Sequence, residues 1–151
     1  MTARLVEFRP PRIAMLLVLI AALAHWTLGT RSIPLFSDTL LATVLGGGGF
    51  TIMMWAWWLF RKAETAICPT ELNDSLVTSG IYRLSRHPMY LGMILMLAGL
   101  ATLVGTLPFY LAALTFYLVI ETVFRPYEEA KLLDTFGADY TTYRERVRRW
   151  I

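Results

Sequence analysis

A single cysteine, Cys68, stands in 151 residues. It excludes an internal disulfide and any cysteine-built metal site, and it is read as an inert thiol. Charge is also scarce. Asp, Glu, Lys and Arg make up 17% of the chain and sum to a net charge of +3, too little for a nucleic-acid surface. Internal repeats and low-complexity tracts are missing too, so the sequence reads as one domain over residues 1–151.

Apolar residues take the place of charge. They form 56% of the chain, and the mean hydropathy is +0.53. A soluble domain this small has too little interior to hide them, so the class expected is an all-α polytopic membrane protein. Four transmembrane helices are predicted, at about 13–29, 39–60, 89–105 and 108–124. The last two come from one apolar stretch of 32 residues, Met89 to Ile120. As a straight helix it would reach about 48 Å, against a hydrocarbon core of ~30 Å. It must therefore fold back as a tight hairpin. Gly105 is suited to ending one helix and Pro108 to opening the next.

The basic residues fix an expected orientation. Thirteen of the 14 Lys and Arg fall before the first span, between the second and third, or after the fourth, leaving Arg31 alone on the other side. The excess of Lys and Arg on the inner side of membrane proteins then places both termini in the cytoplasm. Arginines followed by a short apolar core and Ala22-Leu23-Ala24 also fit a cleavable secretion signal. Because the apolar stretch runs on past Ala24, a retained span is the reading adopted.

Between the spans, the connection Arg61 to His87 is long for a compact domain and is expected to be functional. Gly46 to Gly49 lie mid-span, where small side chains let helix backbones approach closely. Beyond Arg125, Leu132, Leu133, Phe136, Tyr140, Tyr143, Val147 and Trp150 recur every three or four residues. They predict a cytoplasmic C-terminal amphipathic helix, interrupted near Gly137. His25, distant from the polar motifs, is read as structural.

Two polar clusters flank the predicted hairpin. In the first, Pro88 would open the third span, leaving the backbone N–H groups of Met89, Tyr90 and Leu91 unpaired beside Arg86 and His87. That arrangement suits a carboxylate or phosphate. Gly92, one turn on, would leave room for a bound group. In the second, Glu128-Glu129 directly follow the membrane exit and would attract an ammonium or sulfonium. Each cluster alone is equally compatible with ordinary flanking charge. Side by side they match a zwitterionic, amino-acid-like ligand. Glu121, inside the fourth span, is either functional, as intramembrane acids often are, or simply the ion-pair partner of Arg125.

The two blocks together resemble a known family. Gly80, Tyr82, Arg86, His87, Pro88, Tyr90 and Gly92, followed by Glu128, Glu129, Leu132, Leu133, Phe136, Gly137, Tyr140, Tyr143 and Val147, look like the isoprenylcysteine carboxyl methyltransferase and phospholipid methyltransferase superfamily. The resemblance covers roughly residues 70–151. It implies S-adenosylmethionine as methyl donor, held by a region of about 76–151 that includes Tyr82, Arg86, His87, Tyr90, Leu91, Gly92, Glu128 and Glu129. It implies a lipophilic or prenylated acceptor arriving from membrane lipid, with no metal. Arg125 would hold an acceptor carboxylate, and Glu128 would serve at the reacting centre. Carboxyl methylation of an isoprenylcysteine-like substrate is the activity expected. Methylation of a phospholipid amine or of a hydrophobic thiol remains open. So do an NADPH-dependent enzyme resembling the sterol reductases, which have many more spans, and a non-catalytic membrane protein.

Overall fold

The computed structural model describes residues 9–33, 37–63 and 75–151. Cys68, and much of the connection expected to be functional, lie outside the described residues. Among those described, every regular element is helical. Helix α1 is Pro10–Leu28, α2 Thr39–Lys62, α3 Pro88–Val104, α4 Leu107–Val119 and α5 Arg125–Arg146. A one-turn 3-10 helix covers Gly80–Arg83, and a π turn, Ile120–Phe124, joins α4 to α5 without a break.

Capping chemistry explains the boundaries. Helix α2 begins where the Asp38 carboxylate accepts the Leu41 N–H at 2.9 Å. Helix α3 begins on Pro88, which loses nothing at a position whose N–H has no partner. It ends at Gly105, whose φ of 69° is left-handed and whose N–H bonds the Ala101 carbonyl. Only Gly105 and Thr106 separate it from α4.

The α4–α5 junction has a cause in Pro126. A proline ring collides with the carbonyl four residues before it and offers no N–H. The helix responds by widening. The Arg125 N–H reaches back five residues to the Ile120 carbonyl, and the carbonyl it would have used, that of Glu121, takes the Arg125 guanidinium instead at 3.2 Å. Arg125 thus repairs the helix as well as carrying charge.

Helices α2 and α3 make the most extensive contact, and glycine sets their distance. A Cβ added to Gly92 would lie 2.6 Å from the Gly49 carbonyl oxygen, and one on Gly99 would lie 2.6 Å from the Gly46 nitrogen. A Cβ on Gly46, Gly47 or Gly48 would meet nothing within 4 Å, so within the run only Gly49 packs too closely for a side chain. Helix α3 also lies against α4, and α4 against α1. Tyr90, Leu97, Phe116, Ile120 and Phe124 form the core between α3 and α4.

Outward-facing side chains are apolar to an extent water would not tolerate. Trp26 is 85% exposed, Leu40 75% and Leu107 60%. Helices α1 and α2, and the continuous run from Leu107, are long and apolar enough to cross a membrane. Their apolar surface marks an integral membrane protein. The apolar part of that run ends at Phe124. Helix α3 has 17 residues, about 26 Å by helical rise and just short of a full crossing.

Past Phe124 the amphipathic helix forms as expected. Tyr140 and Tyr143 are buried, and Gly137 breaks the helical backbone with φ 48° and ψ −115°. Leu133, predicted on the apolar face, is 41% exposed.

Candidate functional site

His87 sits at the last position before α3, where the chain leaves the 3-10 turn. Its backbone N–H bonds the Ser85 hydroxyl at 3.2 Å. Its side chain is turned inward and only 3% of the residue is exposed. The twin acids of α5 face it. Glu129 Oε1 lies 3.2 Å from His87 Nε2 and 2.9 Å from an Arg86 terminal nitrogen. Glu128 Oε2 lies 3.7 Å from His87 Nδ1, a charge–charge contact longer than a hydrogen bond. The two sequence clusters therefore meet, across more than forty residues of intervening chain.

The electrostatics follow from that enclosure. Burial by itself pushes the His87 imidazole down, but Glu128 and Glu129 together outweigh it and hold its pKa above the ordinary 6.5. Burial likewise opposes ionisation of Glu129, yet the bond to His87 and the charges of Arg86 and Arg125 prevail and keep its carboxyl low. Burial, and then the Glu128 charge, push the Tyr82 phenol well above its usual range.

A ladder of ion pairs runs inward from this cluster along one helix face. Arg125 donates to Glu129 Oε2 at 3.3 Å and to Glu121 Oε1 at 2.8 Å. Arg149 approaches the same Glu121 oxygen at 3.5 Å. Several buried polar atoms along it have no hydrogen-bond partner: Arg86 Nε, His87 Nδ1, Glu128 Oε2, Arg125 Nε and Glu121 Oε2. Such atoms cost free energy unless something arrives to pair with them.

The surroundings are aromatic. Tyr90 stacks on His87 with ring centroids 5.8 Å apart, and Trp150 lies at 6.3 Å. Residues 148–150 form a strap. The Arg148 carbonyl accepts the Arg86 N–H at 3.1 Å, and the Arg149 carbonyl accepts the Ser85 hydroxyl at 3.3 Å. The cleft bounded by Phe60, Tyr82, Arg86, His87, Met89, Tyr90 and Glu128 holds about 30 Å³, roughly one water.

The chain matches the phospholipid methyltransferase family over residues 37–139, a stretch that contains Arg86, His87, Arg125, Glu128 and Glu129. The protein belongs to this family. Individual relatives agree. Protein-S-isoprenylcysteine O-methyltransferase B of Arabidopsis thaliana is 35% identical over 80 residues, 51% of this chain and 39% of the relative. The Schizosaccharomyces pombe protein-S-isoprenylcysteine O-methyltransferase is 39% identical over 75 residues, 48% of this chain and 30% of the relative. Methanethiol S-methyltransferase 2 of Bradyrhizobium diazoefficiens is 39% identical over 89 residues, 58% of this chain and 33% of the relative. The chain thus spans about two fifths or less of the length of these curated relatives. No solved structure matches it.

Within this phospholipid methyltransferase family member, the residues expected at the site divide into two groups. Tyr82, Arg86, His87, Tyr90, Glu128, Glu129 and Arg125 come together. Gly92 does not open onto them, because its free face is filled by Gly49 and Met53 of α2. The Leu91 N–H is not available either, since it bonds the His87 carbonyl at 3.0 Å. That closes one amide of the anion site expected at the start of α3. Tyr140 and Tyr143 were visible as motif matches and in the apolar spacing of α5, not as site residues. The first lies 3.5 Å from Arg86 and the second donates to the Tyr82 carbonyl at 2.7 Å. Trp150 and Ser85 carried no sequence signal beyond the apolar spacing of α5.

Proposed function

We propose that the protein transfers a methyl group from S-adenosylmethionine to a lipophilic acceptor at the cytoplasmic membrane face, with four helices crossing the bilayer and both termini on the cytoplasmic side. The observation that carries this reading is the buried meeting of Arg86, His87, Glu128 and Glu129, which leaves unpartnered donors beside an unpartnered acceptor. Arg86 Nε is suited to a ligand carboxylate and Glu128 Oε2 to a ligand ammonium, the two charges of an amino-acid moiety. Glu129 holds Arg86 and His87 in place. Residues 76–151 form the cofactor-binding part of a single domain, and Tyr82 and Tyr90 wall the cleft. When bound, the cofactor supplies an electrophilic methyl group on a sulfonium.

The donor set fits such a ligand, whereas the volume does not yet. A cleft of about 30 Å³ admits the whole molecule only if its surroundings open, and the strap over His87 is lightly held. Two hydrogen bonds at 3.1 and 3.3 Å fix it to the Ser85–Arg86 corner, a modest restraint of about 1 kcal/mol each. Alignment and exclusion of water by Tyr90 and Trp150 then provide most of the acceleration an in-line displacement needs.

Carboxyl methylation of an isoprenylcysteine-like acceptor is one finer reading, supported by the names of the plant and yeast relatives. Methylation of an amine or a hydrophobic thiol is the second, favoured by the engagement of both terminal nitrogens of Arg125. Calorimetry in detergent tests what both share. Binding of S-adenosylmethionine and of its demethylated product is expected, and binding of NADPH is not. His87→Ala and Glu129→Gln should each weaken cofactor binding about tenfold or more, the ~1.5–3 kcal/mol of a charge-assisted hydrogen bond. His25→Ala, whose ring bonds Thr30 at 2.8 Å, should leave it unchanged. NADPH binding alone would replace the reading with a reductase.

A further inference from the structure

Arg125 is expected from the resemblance to hold an acceptor carboxylate, yet its guanidinium is already committed. One terminal nitrogen bonds Glu129 Oε2 at 3.3 Å. The other bonds both Glu121 Oε1 at 2.8 Å and the Glu121 carbonyl at 3.2 Å. The carbonyl bond is compelled by the helix, because Pro126 leaves that oxygen without a backbone donor. Three of its five N–H donors are thus used; Nε is left buried and unpartnered, and one hydrogen stays on the nitrogen that bonds Glu129.

Beside it, Glu121 has one oxygen taken by Arg125 and Arg149 and the other, Oε2, buried and unpartnered. A buried N–H next to a bare carboxylate oxygen mismatches a second carboxylate. That ligand offers only acceptors, and like charges at short range repel. The pair matches a head group that brings a hydrogen of its own.

Resting on the methyl-transfer reading above, we propose that Glu121 determines acceptor specificity, excluding carboxylates and receiving the N–H or S–H of a long-chain amine or thiol. Its position suits the task. It lies at the inner end of the ladder, in the π turn that closes the apolar run, where a head group on an alkyl chain leaves hydrocarbon. Mid-helix π turns recur at functional positions. In the reaction the acceptor lone pair forms the bond to the methyl carbon, the carbon–sulfur bonding pair returns to sulfur, and the acceptor's proton passes to Glu121 Oε2. A carboxylate acceptor would bring no proton and leave Oε2 without a function.

The test is binding by the whole protein in lipid nanodiscs, without cofactor, of dodecylamine, dodecanethiol and dodecanoate. The unaltered protein should bind the amine or the thiol at least tenfold tighter than dodecanoate, and the separate arms distinguish nitrogen from sulfur. Glu121→Gln should cut that preference at least fivefold, and Glu121→Asp should restore part of it. Partition into the disc is common to all variants, and a ratio within one preparation is insensitive to any misfolded fraction. Labelled methyl transfer to the same three compounds should follow the same order. Dodecanoate bound or methylated as well as the amine and thiol would overturn the proposal, as would a preference untouched by Glu121→Gln. Loss of cofactor binding in separate calorimetry would instead count against methyl transfer itself.

Discussion

At the scale of single residues, His87 concentrates the chemistry. It is the buried imidazole on which two carboxylates converge, and its charge state is tied to theirs. Its folded pKa is raised above 6.5, so the stability it contributes is full below about pH 6.5 and is lost as pH rises through the folded value. Glu129 acts in the opposite sense. Its folded pKa is lowered from 4.5, so its contribution is full above about pH 4.5 and is lost as pH falls through the folded value. Thermal unfolding in detergent should therefore show greatest stability between about pH 4.5 and 6.5, with a decline on the alkaline side. His87→Gln should flatten that alkaline decline and weaken the acid limb without abolishing it, because Arg86 and Arg125 still hold the Glu129 carboxyl low. An alkaline limb unchanged by the substitution would mean that another group sets it.

Among helices, glycine decides how closely α2 and α3 approach. Gly92→Ala or Gly49→Ala puts a methyl group within 2.6 Å of a backbone oxygen, and overpacking of this kind costs about 1–3 kcal/mol. Gly47→Ala meets nothing and replaces a poor helix former, so it should be neutral or slightly stabilising. Comparing melting temperatures of the three variants checks this, and an equal drop in all three would refute the packing account. The same helices show what a sequence can and cannot disclose. Pro88, Gly105 and Pro108 announce their boundaries, since each acts through its own backbone. The pairing of Arg125 with Glu121 and Glu129 is equally local, at a spacing of four. Gly92 was misplaced because its neighbour, Gly49, lies on another helix more than forty residues away. The π turn escaped because its cause, Pro126, reads equally well as a helix start. The strap over His87 depends on contacts between residues 85–86 and 148–149, a separation no periodicity encodes.

Over the molecule as a whole, the asymmetry of basic charge implies a fixed sidedness. In intact cells, with Cys68→Ser as background, Ser32→Cys should react with a membrane-impermeant maleimide, and Ile151→Cys should react only after permeabilisation. The reverse pattern would place the cluster on the outer face and end the cytoplasmic assignment. Sidedness matters because of how the cluster is mounted. From Leu107 to the kink at Gly137 the backbone runs as one rod, widened at Ile120–Phe124 but nowhere jointed. Its apolar part, 107 to 124, is about 27 Å long by helical rise, slightly less than a typical hydrocarbon core. Glu128 and Glu129 ride on the outboard end of that lever, while His87 is anchored to a different helix. Whatever tips the rod, including the thickness of the lipid around it, changes the gap between acid and imidazole, so the host bilayer becomes part of the machine's adjustment.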